Sequence, residues 1–272
     1  MAVGKFTGAG TGPGDPELMT LKVVRRIRES DAIAIPVSDP ALEAPYFESA
    51  SGRIEGKSAL YLEKCVAYQI ARAACPETEK KDCIFLPMPM IKEKDRLKAV
   101  HESDASAVEQ VLDEGKNVIF LTLGDPTVYS TCMYVHRRLK RDGYPTEIIP
   151  GITSFCAAAA RLDIPLVENR QELHILPASY EIEKSLELPG TKVLMKAGRK
   201  MREVKQLLME KGLEAEMVEN CGMAEERLYY GAGEIPEQAG YYSLLVVKEN
   251  RERQDREIEC CRQGQRETGG RE

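Results

Sequence analysis

Strands that alternate with helices, glycine- and proline-bearing loops directly after three of those strands, and a hydrophobic content of 43% predict an α/β protein. We read two α/β domains with mostly parallel sheets, since a strand–helix–strand order favours parallel pairing. A chain of 272 residues can bury one large core or two compact ones. The division is placed near residue 168. Residues 1–168 form an N-terminal domain with a Gly-rich loop, residues 169–249 a C-terminal domain, and residues 250–272 a charged tail.

Residues 3–7 read as a short strand leading into a glycine cluster. Asp15 can cap a following helix with Pro16 in its first turn. Leu18, Leu21, Val24 and Ile27 recur at helical spacing, and Arg25, Arg26 and Arg28 stand where the helix dipole favours cations. Residues 32–36 read as a buried strand. Between 38 and 62, Pro40, Pro45, Gly52 and Gly56 interrupt any long element. Residues 84–87 read as a strand. Residues 99–114 form a helix that carries Val108, Val111 and Leu112 and stops at Gly115. Residues 118–123, Val-Ile-Phe-Leu-Thr-Leu, carry the strongest strand signal in the chain.

A helix follows over about 128–141, with cations at its end and Gly143 as its stop. Residues 147–149 are a strand ending at Pro150 and Gly151, after which Thr153 or Ser154 can cap a helix through Ala157 to Ala160. Residues 174–176, 193–195, 216–218 and 244–247 read as the later strands, with a helix through Val204, Leu207 and Leu208 ending at Gly212. The tail from 250 has six Arg, six acidic residues and almost no apolar content. Such a composition cannot bury enough surface to offset ordering, so it reads as disordered or frayed.

Charge and composition set aside several functions. A formal charge of −6 argues against a nucleic-acid partner, which needs a basic surface. No apolar run reaches the ~18 residues of a membrane helix, and the N-terminus lacks a secretory pattern. A cytoplasmic protein without a membrane partner is expected. The eight cysteines form no C-x-x-C pair and there are three histidines. This spacing suits reduced thiols rather than a zinc site or disulfide framework. No protein-bound metal is expected.

Three loops could carry chemistry. Gly8 to Asp15 holds four glycines that let backbone approach a ligand. Its spacing fits neither a G-x-G-x-x-G fingerprint nor a Walker loop, and Pro13 removes one N–H. A tight strand-to-helix turn is an equal reading. Asp125, after the strongest strand, sits where open α/β sheets bind ligands, or else caps the next helix. Thr153 and Ser154, after Gly151, can bind a polar ligand or cap theirs. His101, His136 and His174 stand alone, and no nucleophile elbow or H-E-x-x-H motif occurs. No catalytic residue is named.

As an ordered set, Gly12-Pro13-Gly14-Asp15-Pro16-Glu17-Leu18 with Thr20, Gly124-Asp125-Pro126, Pro150-Gly151-Ile152-Thr153-Ser154, then Val193 to Arg199 and Glu219-Asn220, resemble the tetrapyrrole methylase family from about Lys5 to Lys248. The strings Leu121 to Thr131 and His174-Ile175-Leu176-Pro177-Ala178 resemble the branch that methylates C20 of precorrin-2 or cobalt-factor II on the route to cobalamin. The resemblance implies two α/β domains, a homodimer, and S-adenosylmethionine held in a cleft between the domains. Position by position it implies cofactor contacts at Pro13, Leu123, Gly124, Asp125, Val128, Thr153, Ser154, Ala197, Cys221 and Tyr242. The family often has Met or Leu in place of Ala197 and Gly or Ala in place of Cys221, which assigns those two contacts to backbone atoms.

The expected chemistry is methyl transfer by positioning, because a sulfonium methyl is already activated. Lys196, Arg199 and Lys200 are candidates for a cationic rim facing a carboxylate-rich substrate, or form a solvated basic face. Competing readings are a family member that methylates another ring carbon, ribosomal RNA or a diphthine precursor, and a nucleotide-binding module without catalysis.

Overall fold

A computed structural model describes residues 2–51, 54–89, 91, 93–177 and 182–249. The tail at 250–272, Ala178 and the Arg199 side chain lie outside the described residues. The chain divides into two compact units, Met1–Ser154 and Phe155–Glu272. This division falls earlier than residue 168.

The first unit contains β1 (Phe6–Gly10), α1 (Leu21–Glu29), β2 (Ala32–Val37), β3 (Tyr46–Glu48), α2 (Gly56–Lys64), α3 (Val66–Ala74), β4 (Asp82–Pro87), α4 (Lys94–Asp113), β5 (Val118–Thr122), α5 (Cys132–Arg141) and β6 (Thr146–Ile149). Its sheet runs β3-β4-β2-β5-β1-β6. All pairings are parallel except that of the edge strand β3 with β4. The strands read as near-continuous apolar runs because both faces are covered. On one face Ile33, Ile35, Phe85, Ile119 and Leu121 meet Val23 and Ile27 of α1 and Tyr61, Tyr68 and Ala71 of α2 and α3. On the other, Phe6, Ala34, Ile84 and Phe120 meet Val108, Val111 and Leu112 of α4 and Val135 and Leu139 of α5. Each fully buried Ile, Leu or Phe contributes roughly 1.5–3 kcal/mol of transfer free energy.

Local rules explain most element ends. Thr20 caps α1, its hydroxyl accepting from the Val23 N–H at 3.3 Å. Asp15 caps a single 3₁₀ turn, Pro16–Leu18, accepting from the Glu17 N–H at 2.8 Å, so the helix itself starts later than its apolar spacing suggests. β1 also differs from the sequence reading, because it extends through the glycine cluster to Gly10. These glycines are strand residues where other chain segments come too close for a side chain. A Cβ on Gly8 would lie 2.6 Å from the Cys132 Sγ, and one on Gly10 2.7 Å from the Gly151 nitrogen and against the Gly124 carbonyl. α5 starts at Cys132, four residues after Val128.

The second unit contains α6 (Ser154–Leu162) save its first residue, β7 (Leu173–Pro177), α7 (Ile182–Leu186), β8 (Thr191–Met195), α8 (Met201–Lys211), β9 (Glu214–Glu219), β10 (Arg227–Tyr230) and β11 (Ser243–Lys248). Its sheet runs β10-β9-β11-β8-β7. Met201, Val204 and Leu208 of α8 and Ile182 and Leu186 of α7 cover Leu194, Met217, Leu245 and Val247. Gly212 stops α8 in a left-handed conformation, φ 61°.

The expectation of mostly parallel sheets fails in this unit. Among the described residues, only β7 pairs parallel with β8, while β11 pairs antiparallel with β8 and β9, and β9 with β10. Residues 220–226 and 231–242 contain no helix. A parallel connection requires a crossover of a dozen or more residues, usually helical.

Candidate functional site

The ends of β1, β5 and β6 stand level, since Gly10 pairs with Thr122 and Ala9 with Ile149. The loops leaving these neighbouring strands therefore meet at the carboxyl edge, where open α/β sheets bind ligands. Gly12 and Gly124 exchange backbone bonds, with the Gly124 N–H donating to the Gly12 carbonyl at 2.7 Å and the Gly12 N–H to the Gly124 carbonyl at 3.3 Å. Gly124 does so at φ 70°, a conformation that favours glycine.

Asp125 is 7% exposed and ties two loops together. Its Oδ1 accepts from the Thr127 N–H at 2.7 Å and from the Thr127 hydroxyl. Its Oδ2 accepts from the Gly151 N–H at 3.0 Å. It caps no helix, because α5 begins at Cys132. The far end of the loop is fastened as well. The Ser130 and Thr122 hydroxyls are 2.8 Å apart, Ser130 Oγ accepts from the Cys132 N–H, and the Thr11 hydroxyl donates to the Thr122 carbonyl at 3.2 Å.

Pro13, Leu123, Gly124, Asp125, Val128 and Thr153 lie on these three loops, and Ser154 opens α6 directly after the third. Pro13 and Gly124 are buried, and Leu123, Val128, Thr153 and Ser154 half-buried. The Thr153 Oγ1 is a buried polar atom with no hydrogen-bond partner. A buried hydroxyl without a partner costs about 1–3 kcal/mol. With Asp125, which has used three of about four acceptor positions, it forms a polar set able to receive a hydroxyl- or amine-bearing ligand.

Ala197, Cys221 and Tyr242 gather at one edge of the second sheet. Leu244 pairs with Met195 and Ser243 with Glu219, so the segments after β8 and β9 and before β11 stand side by side. The Asn220 N–H donates to the Tyr242 carbonyl at 3.0 Å, and the Lys200 N–H to the Ala197 carbonyl at 2.8 Å. Ala197 is fully buried. A Cβ on Gly198 would lie 2.6 Å from the Gly240 carbonyl oxygen, so this edge too depends on close backbone approach. Burial, then the neighbouring Glu226, pushes the Cys221 thiol up to about 11; a group held as a neutral thiol is a poor nucleophile. Tyr242 is 39% exposed. Of the cationic candidates, Lys196 lies 6.0 Å from the Tyr241 ring centre at φ 61°, and Lys200 pairs with Glu203 at 3.6 Å.

The two helical histidines and Cys132 belong to packing. His101 stacks on Tyr134 at 4.3 Å, and burial, then Arg138, lowers its pKa. Burial, then Lys140 and Arg137, does the same to His136. Burial alone raises the Cys132 thiol to about 12. Among the described residues, no three His, Cys, Asp or Glu side chains cluster as a metal site, and no helix is long and apolar enough to cross a membrane. Sequence reasoning missed Thr127, Gly151 as a hydrogen-bond donor, and the Thr11–Thr122–Ser130 clasp. Small hydroxyl residues at both ends of the 123–129 loop were the available signal.

Residues 5–236 match the family Tetrapyrrole (Corrin/Porphyrin) Methylases. The chain belongs to this family. It is 33% identical over 249 residues to a probable cobalt-precorrin-2 C(20)-methyltransferase of Methanocaldococcus jannaschii, covering 90% of this chain and 96% of that protein. It is 29% identical to a precorrin-2 C(20)-methyltransferase of a Sinorhizobium species, covering 91% and 96%. The fold resembles a uroporphyrin-III C-methyltransferase of Thermus thermophilus complexed with S-adenosylhomocysteine, with a TM-score of 0.60 at 19% identity over 90% of this chain and 97% of that one.

Proposed function

We propose that this methylase transfers a methyl group from S-adenosylmethionine to C20 of precorrin-2 or cobalt-factor II, in the building of the corrin ring of cobalamin. The observation that carries the reading is the convergence of the three family loops at one sheet edge, with Asp125 hydrogen-bonded across two of them. The named C20-methyltransferases among its relatives support the choice of ring carbon. The polar set fits the donor, because Thr153 Oγ1 is a buried hydroxyl in need of a partner.

The residues proposed to hold the donor are Pro13, Leu123, Gly124, Asp125, Val128, Thr153, Ser154, Ala197, Cys221 and Tyr242. When bound, S-adenosylmethionine supplies a methyl group already activated by its positive sulfur. What remains for the chain is positioning. Asp125 keeps the second and third loops in register, the hydroxyl clasp keeps the 123–130 loop from fraying, and the glycine contacts let backbone polar groups reach a ligand closely. Over the whole reaction a carbon–carbon bond forms at C20, the carbon–sulfur bond breaks, and the C20 proton leaves to solvent or a base. We further propose a homodimer in the cytoplasm, on the family resemblance.

The test is incubation of the full chain with S-adenosylmethionine and reduced precorrin-2, with and without cobalt, followed by mass spectrometry of the pigment. Gain of one methyl group by the macrocycle is expected. Donor binding by calorimetry without transfer would replace the enzyme by a binding module, and the absence of donor binding would overturn the reading.

A further inference from the structure

We infer that Arg161 and Glu226 are positioning residues that set the backbone of the turn at residues 220–222. The inference rests on the proposed cofactor contact at Cys221, which the family pattern assigns to backbone atoms. Whatever fixes that backbone then fixes the contact.

The turn is conformationally demanding. Asn220 and Gly222, on either side of Cys221, have φ of 54° and 73°. A left-handed non-glycine residue persists only where its surroundings over-determine it. The Asn220 N–H donates to the Tyr242 carbonyl at 3.0 Å, its side-chain amide to the Glu225 carbonyl at 3.3 Å, and the Met223 N–H to the Asn220 carbonyl at 2.9 Å. The remaining support comes from outside the turn. Glu226 Oε2 accepts from the Gly222 N–H at 2.7 Å. Its other oxygen, Oε1, accepts from Arg161 Nε at 2.8 Å and Nη2 at 2.5 Å, and Arg161 lies in the last turn of α6.

This differs from an ordinary surface ion pair, whose net worth is small. The Glu226 side chain is only 13% exposed. One of its oxygens is committed to a backbone N–H, and its orientation is set by a guanidinium that grips the other. The Arg161 hydrogen bond holds the Glu226 carboxyl below its usual range, against the opposing effect of burial and with a further, lesser contribution from the Gly222 N–H. The arrangement is a relay from α6 through Glu226 to Gly222, adjoining Cys221, and through Asn220 to Tyr242. It links two of the proposed contacts without touching a ligand. Since the Arg161 side chain is 57% exposed, its loss costs the fold little and acts on the turn.

The experiment is calorimetric titration of the full chain with S-adenosylmethionine, with KM and kcat for the methyl donor and a thermal melt for each variant. Arg161→Ala and Glu226→Ala are expected to weaken donor affinity about tenfold, equal to ~1.4 kcal/mol, raising KM with kcat held. Glu226→Gln keeps one carbonyl oxygen, which can serve the Gly222 N–H or Arg161 but not both, and is expected to fall between Glu226→Ala and wild type. Arg202→Ala breaks the exposed Arg202–Glu237 pair of the same unit and is expected to bind as wild type does. Unchanged affinity in both Ala variants, or an equal loss in Arg202→Ala, would overturn the inference. Failure of the wild type to bind the donor would overturn the cofactor reading beneath it.

Discussion

Replacing Asp125 by Ala removes one carboxylate and three hydrogen bonds, from the Thr127 N–H, the Thr127 hydroxyl and the Gly151 N–H. Thr127 is exposed, so water takes over its two bonds at little net cost. Gly151 is half-buried and packed against Gly10 and Gly124, so its N–H loses an ionised acceptor that water replaces poorly. Hydrogen bonds to charged groups are worth about 1.5–3 kcal/mol, and an orphaned buried donor costs about 1–3. We therefore expect a loss of ~2 kcal/mol. For a unit of about 150 residues, that lowers Tm by roughly 4–8 °C. Calorimetric melting measures the first effect and titration with S-adenosylmethionine the second, a weakening of at least about tenfold. Asp125→Asn retains one oxygen, which can serve Gly151 or Thr127 but not both, and should fall between Ala and wild type. An unchanged Tm together with unchanged donor affinity in Asp125→Ala would refute the reasoning that this carboxylate joins two loops of a ligand site.

Gly10→Ala places a methyl against the Gly124 carbonyl and 2.7 Å from the Gly151 nitrogen; urea unfolding should show a loss of roughly 3 kcal/mol, at the upper end of the usual overpacking cost. Glu147 on β6 accepts from Lys5 at 2.6 Å, Lys22 at 2.9 Å and Arg26 at 2.9 Å, which lowers its pKa from 4.5 to about 2, the Lys5 bond contributing most. The stability it provides is whole above about pH 4.5 and lost as pH falls through 2, so Glu147→Gln should flatten the acid limb of a Tm-versus-pH curve. Asp104 on α4 is fully buried with neither oxygen hydrogen-bonded; burial raises its pKa to about 8, with Arg138 opposing. The folded state then keeps a proton that the unfolded chain has released, so stability falls as pH rises from about 4 to 8. Asp104→Asn should remove that decline, and a wild-type stability flat across this range would contradict the assignment.

The parts of the fold that could be read from sequence were those written in local pattern. The 118–122 strand is a run of β-formers bounded by Asn117 and Gly124, and Gly212 stops α8 as a left-handed residue must. The three loops were visible because each follows such a strand. What could not be read was which distant groups meet. The Asp125–Gly151 bond spans 26 positions and the Arg161–Glu226 pair 65, and nothing in the intervening residues encodes either. Gly8 and Gly10 resemble loop residues by composition, yet belong to β1 because Cys132 and Gly151 crowd them. Residues 38–62 were opaque because breakers such as Pro40 and Pro45 mask the short edge strand β3, and α2 begins at the very glycine taken as an interruption. The antiparallel pairing of β9 and β10 could have been read from the shortness of residues 220–226, since direction is decided by the connection rather than by strand composition.

The measurement that bears most directly on the reaction is carbon-13 NMR of the macrocycle recovered after incubation with methyl-labelled S-adenosylmethionine. A single labelled methyl on the meso carbon C20 is the result expected of this chain. Label on a different ring carbon, or a pigment recovered without label from enzyme shown to bind the donor, would contradict it.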